Sequence, residues 1–202
     1  MWDRERFDRA EVEARRVLTG RVVEGHEGTE PELWREYFEI LFEVSGVPSG
    51  EVARQVGARL RDEHAREHLW THVEPGTREA LRTLRERGFG VGVVSNADGR
   101  MEGALVGAGL REELDFVIDS GLFGRAKPDP AIFLEGARQA GVPPEHCLYV
   151  GDLYPVDVVG ARGAGMHALL VDPEGHAPWP VERIRAVREL PCHLAGVSSP
   201  VR

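Results

Sequence analysis

Apolar positions follow two different rhythms along the 202-residue chain, and the change comes near residue 73. From Asp3 to Thr71 the spacing predicts helices. Phe7, Val12 and Val17-Leu18 lie along a heavily charged segment. Leu33, Trp34, Tyr37, Phe38, Leu41 and Phe42 recur at the i, i+3, i+4, i+7 intervals of one helix face. A third helix is expected after Pro48-Ser49-Gly50, with Val52, Val56 and Leu60 on one side. Gly46, Pro48 and the stretch Gly25-His26-Glu27-Gly28 punctuate these segments, and no strand pattern is found among them.

After Pro75-Gly76 short apolar runs alternate with helical spacings. A helix is predicted over 78–87, with Leu81 and Leu84 inward and Gly88 as its stop. Val91-Gly92-Val93-Val94 reads as a strand buried on both faces. Then follow predicted helices over 101–108, 132–140, 156–164 and 181–188, and predicted strands over 116–118, 147–150 and 168–171. That alternation indicates βαβ units, hence an α/β fold with a parallel sheet covered by helices on both faces. The tail around Ser198-Ser199-Pro200 is expected to be loose.

Composition narrows the function classes. The net charge of −9 argues against a general nucleic-acid or membrane-surface binder, which needs a basic face. No apolar run reaches the ~18–20 residues of a membrane span, and Met1-Trp2-Asp3-Arg4 opens no signal-peptide core. Two cysteines, Cys147 and Cys192, make no disulfide framework, so a reduced cytoplasm is the expected compartment. Of 25 Lys and Arg residues a single one, Lys127, is lysine.

In an open α/β sheet, ligands bind at the carboxyl ends of the strands. The strand ends here deliver Ser95-Asn96, then Lys127 in Lys127-Pro128-Asp129-Pro130, then Gly151-Asp152 with Asp157 five residues on. Hydroxyl, amide and ammonium donors suit an anionic group such as phosphate, and an acidic pair suits Mg²⁺.

These segments, in this order, resemble the haloacid dehalogenase-like hydrolase superfamily, in the subfamily with a helical cap. The resemblance runs from about Pro75 to Asp172. It rests on Val93-Val94-Ser95-Asn96, on Lys127-Pro128-Asp129-Pro130, on Val150-Gly151-Asp152 with Asp157, and on the flanking Gly160-Ala161-Arg162-Gly163-Ala164-Gly165-Met166. It implies a Rossmann-like core at 73–202 and an α-helical cap at 1–72. It also implies Mg²⁺-dependent hydrolysis of a small phosphorylated metabolite through an aspartyl-phosphate. By resemblance, Ser95 and the Asn96 amide hold phosphoryl oxygens, and Lys127 neutralises nucleophile and phosphate. Asp152 holds Mg²⁺, with Asp157 as second carboxylate or orienter. Positioning and charge compensation supply most of the acceleration in such a transfer.

One departure stands against this. The family's first motif is an apolar strand ending in Asp-x-Asp, whose first Asp is the nucleophile, and no Asp-x-Asp occurs in the chain. Asp3 and Asp8 sit in a charged helical pattern. The chain as given is therefore expected to be inactive, and a core without that central strand is expected to carry two unpaired interior edges. Three explanations compete: truncation, degeneration, or replacement of the strand by another segment. Truncation by roughly 15–35 residues is favoured, because Ser95, Lys127, Asp152 and Asp157 are all retained. The alternatives are a non-catalytic phosphate- or partner-binding protein, a 2-haloacid dehalogenase, and a zinc peptidase. The last rests on His64-Ala65-Arg66-Glu67-His68, an H-x-x-E-H match that reads better as a solvated helix face. Substrate identity and oligomeric state are left open.

Overall fold

The computed structural model describes residues 3–24, 31–66, 71–175 and 177–197. The chain divides into two units, 1–69 and 70–202. The first is helical: α1 (Arg4–Val23), α2 (Pro31–Ser45) and α3 (Glu51–Arg66). Asp3 starts α1 by accepting the backbone N–H of Arg6 at 3.2 Å. Ala10, Ala14 and Leu18 of α1 are buried, as are Leu33, Tyr37 and Leu41 of α2, and the two helices pack together. Each set repeats every four residues, so each forms one stripe, and the two alanines let the axes approach closely. Arg21, late in α1, forks onto Glu36, early in α2, at 3.1 and 2.9 Å. Arg6, at the other end, donates to the Val44 carbonyl at 2.7 Å. The pair is therefore antiparallel. Trp34, Phe38 and Phe42, placed by their spacing on the same apolar face, are only half-buried. No residue of α3 is fully buried, so the predicted Val52, Val56 and Leu60 face is not a core face.

The second unit alternates strands and helices. Its elements are α4 (Thr77–Glu86), β1 (Gly92–Ser95), α5 (Met101–Gly107), β2 (Phe116–Asp119), α6 (Ser120–Phe123), α7 (Pro130–Ala140), β3 (Leu148–Gly151), α8 (Gly160–Gly163), β4 (His167–Val171), β5 (Arg183–Ile184) and α9 (Leu190–His193). A wide π-helical turn, Tyr154–Val159, precedes α8 where one continuous helix over 156–164 was predicted. The predicted helix over 181–188 is also not formed. Ile184 and Ala186 are buried while Arg185 between them is exposed, a period of two, and β5 pairs with β4.

All strand pairs are parallel, as the alternation requires, but the sheet is in two pieces. β1 pairs with β2, and β3, β4 and β5 pair in that order. One apolar cluster spans both pieces. Ile118 of β2, Ile132 and Phe133 of α7, Val158, and Ala168 and Leu170 of β4 belong to it, with Val94 and Tyr149 packed against it. A second cluster joins Leu84 of α4 and Leu190 of α9 to Leu169 and Ile184, with Val91, Leu148 and Val150 against it. Helices thus cover both faces, and the unit is a Rossmann-like α/β core. Among the described residues, no strand lies between β1 and β3, and the Tyr149 hydroxyl, from β3, donates to the Val94 carbonyl of β1 at 3.0 Å. No helix among the described residues is long and apolar enough to cross a membrane.

Candidate active site

Ser95 ends β1, and the chain leaves the sheet through Asn96. The Asn96 side chain does not point at open space. Its Nδ2 donates to the Lys127 carbonyl at 2.9 Å, and its Oδ1 accepts the Lys127 N–H at 2.7 Å. This reciprocal pair fixes the Lys127 backbone to the end of β1, although 31 residues separate them. Asp129, two residues further, accepts the Ala131 N–H at 2.8 Å as the N-cap of α7.

The Lys127 ammonium reaches Asp157 Oδ1 at 2.7 Å, with side-chain exposures of 12% and 3%. Both charges are thus out of water and compensate each other. The other oxygen, Oδ2, accepts the backbone N–H groups of Asp152 and Leu153 at 3.0 and 2.9 Å. The π-helical turn makes this reach possible by carrying Asp157 back over the end of β3. Gly151 leaves room for it, since a Cβ there would collide with the Asp157 carboxylate. Burial alone would lower the pKa of Lys127. The Asp157 carboxylate, with a contribution from Tyr149, outweighs burial and holds it above the usual lysine value. Burial pushes the Tyr149 phenol upward against the pull of Lys127, whose ammonium lies 5.4 Å from the ring centroid.

Ser95, Asn96, Lys127, Asp152 and Asp157 therefore meet where β1 and β3 end. Asn96, Lys127, Asp157 and the Asp152 backbone are linked by hydrogen bonds, and Ser95 joins them as the residue before Asn96. The two carboxylates differ sharply. Asp152 is exposed, whereas Asp157 spends both oxygens on Lys127 and two amides. Among the described residues, no group of three or more His, Cys, Asp or Glu side chains could hold a metal ion. Mg²⁺ asks for several oxygen ligands in octahedral array, so the residues present do not complete a magnesium site by themselves. His64 lies on α3, and His68 lies outside the described residues.

Three neighbouring residues escaped the sequence reading. Asp119 and Ser120, at the end of β2, bind the loop after Asn96 through several hydrogen bonds. Tyr149 lies between the sheet pieces. An Asp-Ser pair after a strand is a weak signal, because both types are common in turns. Nothing in the sequence marks Tyr149.

The haloacid dehalogenase-like hydrolase family model matches residues 5–165. The mouse haloacid dehalogenase-like hydrolase domain-containing protein 3 is 38% identical over 143 residues, covering 71% of this chain and 57% of that protein. A phosphoserine phosphatase of Thermus thermophilus is 35% identical over 161 residues, covering 77% of this chain and 62% of that enzyme. The chain thus spans less than two thirds of the length of these curated relatives. Among solved structures, the HAD hydrolase YfnB of Bacillus subtilis, bound to magnesium, superposes with a TM-score of 0.68 at 20% identity. It covers 95% of this chain and 83% of its own, a likeness of fold alone. A 2-haloacid dehalogenase of Pseudomonas syringae superposes with a TM-score of 0.56 at 28% identity, covering 91% and 80%.

Proposed function

The chain belongs to the haloacid dehalogenase-like hydrolases, and on that footing we propose that it is the phosphate-handling part of a phosphatase for a small phosphorylated metabolite. The observation that carries this is Lys127. The chain's single lysine is buried and held by Asp157 where the β1 and β3 ends meet. An ammonium fixed by Asp157, on a backbone tied to the residue after Ser95, is an arrangement for oxygens that gain charge during phosphoryl transfer. Lys127 offsets that charge, Asn96 and Asp157 fix its position, and Ser95 donates to a phosphoryl oxygen. Phosphatase-named relatives support the same class.

Transfer also needs a nucleophile, and the sequence contains no Asp-x-Asp to supply an aspartyl-phosphate. Mg²⁺ dependence belongs to this reading, and Asp152 would bring one carboxylate to the ion. The helical unit takes the part of the cap, and the cytoplasm is the expected compartment.

Two measurements test the reading. Inorganic phosphate, titrated into the chain by calorimetry, should bind, and Lys127→Ala should abolish the heat. Release of nitrophenol from an aryl phosphate, with and without Mg²⁺, should stay at background. Turnover at ordinary enzyme rates would overturn the inactivity of the chain as given. Absence of phosphate binding would overturn the phosphate reading, and halide release from 2-chloropropionate would favour the dehalogenase instead.

A further inference from the structure

The loop that carries the chain away from Ser95 and Asn96 is held from outside by the end of the neighbouring strand. Asp119 is paired with Ser95 in register across β1 and β2, and it is 5% exposed. Its carboxylate accepts the N–H of Gly99 at 2.9 Å, of Met101 at 3.1 Å and of Gly121 at 2.9 Å. Ser120 adds a two-way contact to Ala97, its Oγ accepting the Ala97 N–H at 3.0 Å and donating to the Ala97 carbonyl at 3.1 Å. The Gly121 N–H donates to that same carbonyl at 3.0 Å. A Cβ on Gly121 would sit 2.9 Å from the Ala97 oxygen and 3.0 Å from the Gly99 nitrogen. Only a residue without one allows so close an approach.

The buried Asp119 carboxylate spends its oxygens on three backbone donors. Its natural reading is pre-organisation, since an ionised acceptor makes shorter and stronger bonds than a neutral one. The segment that Asp119 and Ser120 hold together begins at Ala97, one residue after Asn96. Asn96 in turn fixes the Lys127 backbone at 2.9 and 2.7 Å. The restraint therefore runs from the end of β2, through the loop 97–101, to Asn96 and the Lys127 backbone, with Ser95 the residue next to Asn96 in the chain.

We propose that Asp119 and Ser120 are positioning residues of the phosphate site, holding the 97–101 loop so that Ser95, the Asn96 amide and Lys127 stay aimed at one anion. The inference rests on the phosphate reading above and adds to it the pair of residues that sets the geometry. A displacement of about 1 Å at such a site costs up to ~100-fold in efficiency, so the loss of one clamp contact should be visible in binding.

The test uses the chain as it stands, with inorganic phosphate as the probe. Four proteins are compared: wild type, Asp119→Asn, Ser120→Ala and Ser120→Thr. Calorimetry gives the phosphate affinity, thermal unfolding gives the stability, and amide exchange at Ala97, Gly99 and Met101 gives the state of the loop. We expect Ser120→Ala and Asp119→Asn to weaken phosphate about tenfold and to speed exchange at those amides, and Ser120→Thr, which keeps the hydroxyl, to restore both. Should Asp119→Asn fail to fold, the Ser120 pair decides. Wild-type affinity in folded Ser120→Ala, or a folded Ser120→Thr that fails to recover it, would overturn the clamp while leaving the phosphate reading intact. No binding by the wild type would overturn both.

Discussion

At the residue scale the centre of the site is one buried ion pair. Lys127 and Asp157 are both withdrawn from water, and each depends on the other. Removing one partner leaves an uncompensated buried charge, so Asp157→Ala should destabilise the chain by about 3–5 kcal/mol in urea unfolding. The pH dependence follows from the raised pKa of Lys127. A lysine raised in the folded state contributes its full stabilisation below the unfolded value of ~10.4 and loses it as pH rises through the higher folded value. The stability difference between wild type and Lys127→Met should therefore be constant from about pH 6 to 9 and shrink only above about pH 10.4. A decline within the neutral range would show that Lys127 is not held in this way. Lys127→Arg keeps the charge but replaces a compact ammonium with a planar fork that the same pocket cannot seat equally. The expected outcome is a folded protein with weakened phosphate binding by calorimetry.

At the element scale the site depends on backbone approaches that only glycine permits. Gly151→Ala would set a Cβ against the Asp157 carboxylate, and Gly160→Ala would set one 2.8 Å from the Phe133 ring and 3.1 Å from the Pro128 Cα. Overpacking of this kind costs about 1–3 kcal/mol. Both variants should unfold at lower urea concentration, and Gly151→Ala should also lose phosphate binding because it disturbs the carboxylate that holds Lys127. The legibility of the elements follows the same physics. Ser95 and Asp152 were readable because each closely follows an apolar run that ends as a strand, and Lys127 because it is the chain's single lysine and stands in Lys127-Pro128-Asp129-Pro130. Asp119 was not, because it lies on the strand and acts on a loop 20 residues earlier in the chain. The α1–α2 seam was hidden because two of its three α1 positions are Ala10 and Ala14, which carry little hydropathy. β5 was missed because two residues of period two cannot outweigh a helical composition around them.

At the scale of the whole molecule the split between β1 and β3 sets the unit's weakest line. Both strands run their carboxyl ends to Lys127, so they point the same way, and both lie between the same helical layers. Each is paired on one side only, whereas β4 is paired on both. Amide exchange should accordingly be slowest in β4 and faster in β1 and β3, since protection follows the number of bonds that must open together. Tyr149 is the test of what holds the two pieces side by side. Its hydroxyl bonds the Val94 carbonyl, while its ring packs edge-on to Phe133 at 4.9 Å. Tyr149→Phe deletes the bond and keeps the ring contact. A lost hydrogen bond that strands a partly buried carbonyl costs about 1–3 kcal/mol, to be read as a lower urea midpoint with an unchanged slope. If the bond braces the split, exchange in β1 should quicken in that variant while β4 keeps its protection. Uniform loss across both strands would instead mean that Tyr149 acts through the common core beneath the sheet, and that the helical layers alone keep the two pieces together.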